Sequence, residues 1–550
     1  MRQLLAMLVA VVVTITGCAS IPSSGDPVYV DGVDTDTTGG YSITPEGPSE
    51  GDSAEEIIRG FIDAGTGLAD DYAIAREFLT SSFSDEWDPS TSVLVYDSQP
   101  TVKVSDDGSA EVTLSVGATL DEDGHFSEMS ENSDVSQKFT LVQEGGEWRI
   151  ASAPDGISII RPRFSLIYTQ QTLYFYDPSY GYRVPDVRWI ANTPAAATRL
   201  VQLLLKGPSS WMGQGVVTTA FPEGTTLAVD TISTSSSTTV VPLSSAALSA
   251  STEQRQLMLL QLQSTLSGLS SVAKVQISVN DTTVPIEDLG DSAPVLNPSP
   301  SAKRLIVDID GTLSYLSDDG QTEQVEGLAT SFTGMDVTDF SIRGSVAVAT
   351  TSEGLWRATD SEPEAQLLAA GDVEDVSLDP FGYIWAVVDG AVEVWSSDGS
   401  EVSPSLSWGG HVLSAKLSHD GTRLVLLVKD GSQVSVLISG VVRDQEDKPS
   451  QLIEPLSLAV VDATSQAVAW HSDEAVTVLS TTSEGSTVTL MTIGGESTTK
   501  ASTTTPATAL AAGSGEDSIR LLLTDGSVVA PRGSSWLQVA SGVTSIGYSW

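Results

Sequence analysis

Few residues in this chain have side chains suited to chemistry. There is one thiol, Cys18, and there are four imidazoles, His125, His411, His419 and His471. Two carboxylates one residue apart, Asp308 and Asp310, follow the apolar run Leu305-Ile306-Val307 and precede Gly311-Thr312. Glu122, Asp123 and His125 are metal-ligating types, but they surround Gly124 and read as a solvated turn. The remaining histidines have no ligand spacing: only His411 and His419 are near each other, and His419 stands beside an Asp-Gly turn. No Gly-x-Ser-x-Gly elbow, Gly-x-x-x-x-Gly-Lys loop or His-Glu-x-x-His occurs. A Ser-His-Asp set converges in space and has no fixed spacing; nothing in the sequence marks one. Aspartates in turns would hold Ca²⁺ only weakly, because such side chains usually cap their own backbone. No catalytic residue, metal ligand or cofactor is assigned from these residues, and no binding residue is singled out.

Two of these features resemble known families. Arg2 and the apolar run from Leu4 to Val13 read as an export signal, too short to span a bilayer. Ile15, Thr16 and Gly17, followed by Cys18, resemble the lipobox of bacterial lipoproteins. That resemblance implies cleavage before Cys18 and diacylglycerylation of its thiol, an anchor to the extracytoplasmic face of the cell membrane. The stretch from Leu305 to Leu313 resembles the first motif of haloacid-dehalogenase-like phosphohydrolases, and Gly371-Asp372 with Asp375 mimics their later metal motif. In that family the first Asp is the nucleophile and the second the acid/base. The family also needs a lysine between the motifs, and none lies between Lys303 and Lys416. Its βα crossovers are missing too, because this region reads as strands and tight turns. Asp310-Gly311 is therefore read as a hairpin turn.

The elements that would position these residues fall into several domains. The 550 residues suggest three or four domains, and 40% hydrophobic content supports real cores. A formal charge of −46, from 26 Lys+Arg against 72 Asp+Glu, argues against nucleic acid and against lying flat on anionic lipid. After the signal peptide (1–17), residues 18–52 form an acidic, Pro- and Gly-containing linker with no basic residue. Residues 53–160 read as α+β. Ser53 and Glu56 have capping-box spacing ahead of Ile57, Ile58, Phe61 and Ile62. A second helix over Tyr72 to Leu79 is followed by antiparallel strands that end at Gly145-Gly146-Glu147-Trp148-Arg149-Ile150. This order resembles the NTF2-like cone fold.

Residues 161–292 read as a second α+β unit. Arg161-Pro162-Arg163-Phe164 opens it, followed by a strand-like stretch at Leu173 to Tyr176, broken by Asp177-Pro178, and a helix N-capped at Thr193-Pro194. Ala220-Phe221-Pro222-Glu223-Gly224-Thr225 then leads into strands at Thr226 to Val229 and Thr238 to Leu243. A helix from Ser251 carries Met258, Leu259, Leu262 and Leu266 inward. The order resembles the GerMN domain of spore germination and sporulation proteins. Residues 300–550 are all-β, with turns at Asp310-Gly311, Asp319-Gly320, Asp389-Gly390, Asp398-Gly399, Asp420-Gly421, Asp430-Gly431 and Asp525-Gly526. The stretches Val376 to Val387 and Ala415 to Leu426 echo each other at about the 40-residue period of a propeller blade, giving roughly six blades, with poor phase after Lys448.

The whole layout, with Tyr174-Phe175-Tyr176-Asp177 and Val184-Pro185-Asp186-Val187-Arg188-Trp189, resembles the LpqB family of actinobacterial lipoproteins. The resemblance implies an accessory to a two-component system, associated with the extracytoplasmic domain of the MtrB sensor histidine kinase that signals to MtrA, in cell-envelope homeostasis and division. The alternatives are an envelope glycan- or peptide-binding propeller protein and, third, a secreted hydrolase.

Overall fold

The computed structural model describes residues 44–550 except 214, 291–292, 295, 298–303, 318–319, 407 and 550. Ile15, Thr16, Gly17 and Cys18 lie outside the described residues, as does most of the linker.

The first domain begins where its capping box forms. Ser53 Oγ accepts from the Glu56 amide at 3.3 Å, and Glu56 Oε2 accepts from the Ser53 amide at 2.8 Å. The helix Ala54–Ala64 then buries Ile57, Ile58, Phe61 and Ile62. In place of one second helix there are two short ones, Ala73–Arg76 and Ser81–Glu86. Between them Leu79 leaves the helix to bridge Ile150, and the Thr80 amide donates to the Ile150 carbonyl at 2.8 Å.

The sheet order is Glu147–Ser152, Phe126–Glu144, Ser109–Asp121, Ser92–Tyr96, Ile157–Ile160. Its last strand is not the one ending at Ile150, and the sheet is not antiparallel throughout: Ile157–Ile160 pairs parallel with Ser92–Tyr96. Pro154-Asp155-Gly156 carries the chain to that far edge, where Gly156 at φ 83° donates its amide to the Asp88 carbonyl. The helix Arg161–Ile167 follows; Arg161 to Phe164 do not open the second unit, because Phe164 and Ile167 are buried in this first core.

The second domain opens on a long hairpin, Tyr168–Tyr176 against Arg183–Ala191. The helix Ala196–Lys206 packs Leu200, Val201, Leu203 and Leu204 against it. Its N-cap is Ala195, without a side-chain bond, where Thr193 was expected; Thr193 makes a turn instead. The helix Thr252–Leu266, held by the Ser251/Gln254 capping box, connects two parallel strands, Thr238–Leu243 and Lys274–Val279. The strand expected over Thr226 to Val229 is reduced to a single bridge, Leu227 to Leu243. Pro242 has no amide proton to extend that ladder.

The third region is a closed propeller. Among the described residues it has six sheets. Their inner strands, Ser545–Tyr548, Val337–Arg343, Val373–Leu378, His411–Leu417, Ser465–Trp470 and Ala507–Ala511, stand side by side in a ring. Closure is by the last strand: Ser545–Tyr548 pairs with Leu305–Ile309, the second strand of the first blade. The blades are pinned to one another by side chains that accept from the next inner strand. Asp339 Oδ2 accepts from the Val376 amide, Asp375 Oδ2 from the Ala415 amide and Ser414 Oγ from the Val468 amide, at 3.0 to 3.1 Å. Five inner strands carry a β-bulge near their start, at equivalent places.

Blade four accounts for the lost sequence phase. Its outer strand is split into Pro449–Leu452 and Leu456–Val461, both along the long strand Gln433–Arg443. Inner strands begin at 337, 373 and 411 but then only at 465.

Candidate functional site

The strand Arg183–Ala191 sets the geometry where the three domains meet. Asp186 and Arg188 point the same way, two residues apart on one strand, and both are buried. They form an ion pair, and both bind Ser209. The Ser209 amide donates to Asp186 Oδ2 at 2.8 Å, its hydroxyl lies 2.7 Å from Asp186 Oδ1, and Arg188 Nη1 donates to that hydroxyl at 2.7 Å. From the first domain, His125 completes the cluster, with Nε2 3.1 Å from Ser209 Oγ and Nδ1 2.7 Å from Asp121 Oδ2.

The structure thus assembles a Ser-His-Asp array that the sequence did not mark. A serine hydroxyl has one proton, and here it faces the Asp186 carboxylate while the oxygen accepts from Arg188. That arrangement holds Ser209 as a latch between domains rather than freeing it as a nucleophile. Burial pushes the Asp121 carboxyl up, and its hydrogen bonds to His125 outweigh this, leaving it below the usual range. The neighbouring loop residues also latch the joint: Lys206 binds Asp123 at 2.5 Å, and the Trp189 amide donates to the Gly124 carbonyl at 2.8 Å. Glu122, Asp123 and His125 are therefore joint residues. A cavity of about 300 Å³ at this junction is lined by His125, Glu128, Asp186, Trp211, Arg423 and Glu474, among others.

The propeller contributes its turns to the joint. Trp189 Nε1 donates to the Gly494 carbonyl at 2.9 Å, Thr172 donates to Glu474, and Arg161 pairs with Glu496 at 3.2 Å. Gly440 admits the second domain closely: a Cβ there would stand 2.6 Å from Val216 and 2.8 Å from the Trp211 carbonyl.

The channel through the propeller is narrow, about 80 Å³. At the mouth facing the second domain, Tyr182 meets His419 edge-on at 5.7 Å, beside Arg343. Within the channel wall Lys416 Nζ donates to Asp339 Oδ2 at 2.6 Å and to the Val376 carbonyl at 3.0 Å, and it pairs with Asp375. Burial pushes Asp375 up to about 7, although Lys416 pulls the other way and Asp339 adds to the rise.

The carboxylate pair of the sequence lies elsewhere. Leu305–Ile309 and Thr312–Leu316 are an antiparallel hairpin, and Asp310 (φ 51°) and Gly311 (φ 76°) are its left-handed turn. Asp308 is buried next to Thr544, and burial raises its carboxyl. The residues near Asp375 are Asp339, Lys416 and Ser414, so the two halves of the phosphohydrolase-like pattern have separate surroundings. His411 and His419 sit at opposite ends of one inner strand. Among the described residues no three His, Cys, Asp or Glu side chains converge as metal ligands, and no helix is long and apolar enough to cross a membrane. The signal that could have found the joint was the Asp186-Val187-Arg188-Trp189 stretch: opposite charges two residues apart within the apolar run from Val184 to Ile190.

These features define a three-module protein: two α+β domains locked onto one face of a six-bladed propeller. Three family models match in the same order: "Lipoprotein LpqB, N-terminal domain" over 47–165, "Sporulation and spore germination" over 172–285 and "Lipoprotein LpqB beta-propeller domain" over 311–546. The chain belongs to the LpqB lipoprotein family. Lipoprotein LpqB of Cutibacterium acnes is 24% identical over 509 residues, 86% of this chain and 85% of that protein. The Thermobifida fusca protein is 26% identical over 85% of each chain. The Nocardia farcinica protein is 34% identical, over 38% of this chain and 35% of its own length. Among solved structures, the first GerMN domain of the sporulation protein GerM from Bacillus subtilis aligns with 19% identity and a TM-score of 0.18, over 24% of this chain and 94% of that one. The matched domain families are not enzyme families.

Proposed function

We propose that the chain is anchored through lipidated Cys18 to the extracytoplasmic face of the cell membrane. There it binds and modulates the exterior domain of an MtrB-like sensor histidine kinase, in cell-envelope homeostasis and division. It acts by binding and not by catalysis. One observation carries the reading: the residue types that could do chemistry are engaged in structure. Asp308 and Asp310 belong to a hairpin, Asp339, Asp375 and Lys416 pin blades, and Asp121, His125 and Ser209 latch domains. What remains exposed is a broad, rigid, acidic surface, which suits a protein partner with a basic patch.

The test is binding of the full-length lipoprotein, in lipid nanodiscs, to the purified exterior domain of the kinase. Saturable binding that weakens with salt is the expected result. No binding at micromolar concentrations sinks the kinase reading. Cys18→Ala should leave the chain unprocessed or release it from the membrane fraction; normal processing and retention sink the anchor.

A further inference from the structure

Blade five does not meet blade four over its full width. Its strands Ala475–Thr482 and Gly485–Thr492 bury one face, through Leu479, Val488 and Leu490, in the core shared with blade six. The opposite face is apolar only in part, where Val478 and Met491 join the core shared with blade four. The rest of it presents Ser480, Thr482, Thr487 and Thr489 to an open groove of about 680 Å³.

The facing wall is the strand Leu456–Val461. It pairs with Gln433–Arg443 along one edge, and among the described residues no strand pairs with its other edge. Its sequence, Leu-Ser-Leu-Ala-Val-Val, contains no charge and no proline, and Val460 is 42% exposed. Native sheets usually blunt such an edge with Lys, Pro or a short strand. The companion half of the same outer strand, Pro449–Leu452, already has a strand added to it: Ser405–Leu406 runs parallel alongside. The free acidic end of the groove has Asp462 and Glu484; at the other end Glu128, beside Met129, accepts the Ser497 amide at 2.8 Å and lies 4.0 Å from Arg161, and no Lys, Arg or His lines the groove itself.

We propose that this groove binds an extended, cationic segment of a partner protein, which adds as a strand to Leu456–Val461. Alternate side chains of an added strand point the same way, so one set would lie on the hydroxyl floor while basic residues reach the acidic end at Asp462 and Glu484. Main-chain bonds to the open edge supply affinity and the floor and rim supply selection, as in strand-addition recognition generally. A segment of about five or six residues, roughly 17–20 Å long, matches an edge of this length. The chain's own acidic linker has the wrong charge for this seat. The proposal does not rest on the kinase reading, because any exterior protein with such a segment fits.

The test uses the full-length lipoprotein in nanodiscs and two labelled nonapeptides, one alternating Lys with Val and one with Glu in place of each Lys. The Lys peptide should bind at least tenfold more tightly than the Glu peptide. Binding should slow amide exchange across Leu456–Val461. Thr489→Trp, which fills the floor, and Asp462→Asn with Glu484→Gln, which neutralises one end, should each weaken it, the first at least tenfold. Leu367→Lys, on the exposed outer strand Gln366–Ala370 of another blade, should leave it unchanged. Equal binding of the two peptides, absence of Lys-peptide binding, or unchanged exchange at Leu456–Val461 overturns the proposal, and the exchange measurement needs no variant to fold. Competition between the Lys peptide and the kinase exterior domain is scored separately: peptide binding without competition keeps the groove and removes the kinase as its occupant.

Discussion

One strand, Arg423–Asp430, has an Asp-Gly turn at each end, and the two turns are used in opposite ways. Asp420-Gly421 lies on the side facing the second domain. Asp420 accepts from the Thr422 amide at 2.9 Å and pairs with the buried Arg423 at 2.5 Å, and that guanidinium lies over Trp470. Gly421 is packed so that a Cβ would meet Pro380 at 2.9 Å and Phe381 at 3.1 Å. Asp430-Gly431, on the opposite face, is exposed, and a Cβ on Gly431 would meet nothing within 4 Å.

The contrast extends around the ring. The turns between second and third strands all lie on that opposite face, and each has an exposed acid directly before a glycine: Asp310, Glu353, Asp389, Asp430, Glu484 and Asp525. On the joint side the arginines are buried against carboxylates, as Arg443 is against Asp379 at 2.8 Å. The same dipeptide is thus a structural lock on one face and a charged surface on the other. Its partners decide which, and the sequence of the turn does not.

The sharpest way to break this comparison is to remove each aspartate. Asp420→Ala leaves Arg423 buried without its carboxylate, so we expect a loss of about 3–5 kcal/mol by chemical denaturation. Asp430→Ala should stay within about 0.5 kcal/mol. Equal losses would erase the distinction between the faces. The Asp420 carboxyl is also pH-linked. Burial alone would raise it, but Arg423 and the Thr422 and Ser418 hydrogen bonds hold it below its ordinary value. Its stabilisation is therefore present above the unfolded value near 3.9 and is lost as pH falls through the lower folded value. Asp420→Ala should flatten that part of the acid limb.

The glycines sharpen the contrast further. Both sit at positive φ, 72° and 60°, so alanine costs about 1–2 kcal/mol at either. Gly421→Ala adds a clash with Pro380 and Phe381, and overpacking costs about 1–3 kcal/mol more. Thermal melts of the two variants should differ by that second amount; matching melting temperatures would mean that the close approach at Gly421 relaxes freely.

What was legible in the sequence was local. Both capping boxes, the Asp-Gly turns and the blade repeat are written within a few residues of where they act. The joint was not legible, because His125 and Ser209, or Arg161 and Glu496, are brought together only by the packing of separate domains. The strand Ile157–Ile160 escaped notice because its partner precedes it by more than half the first domain, and a short apolar run does not declare which edge it joins. The repeat lost phase where blade four lengthens one strand and splits another.

The residue most suggestive of catalysis gives a smaller prediction. Asp308→Asn keeps the shape of a buried side chain and removes its charge. Burial raises the folded value, so the carboxyl contributes stability below its unfolded value and loses it as pH rises through the raised folded value. At neutral pH the variant should be as stable as the wild type or more so, by about 1 kcal/mol, with partner binding and cellular function intact. Loss of function with fold and binding retained would restore the catalytic reading of this pair.

The smallest expected effect belongs to His471, on the joint side of blade five. It is buried, with Nδ1 2.8 Å from Thr477 Oγ1, and its carbonyl accepts the Gly515 amide. Burial holds its imidazole below the ordinary value; Lys500 adds to that and Glu516 opposes it. The unfolded chain therefore takes up a proton near pH 6.5 that the folded chain refuses until lower pH. Stability should be level above about pH 6.5, decline between there and the folded value, and level off below it, a change of about 1 kcal/mol or less. In His471→Gln that slope should vanish while the Asp420 limb at lower pH persists. Denaturant midpoints collected from about pH 2 to pH 8 resolve the two. An unchanged slope in His471→Gln would assign the titration to another group.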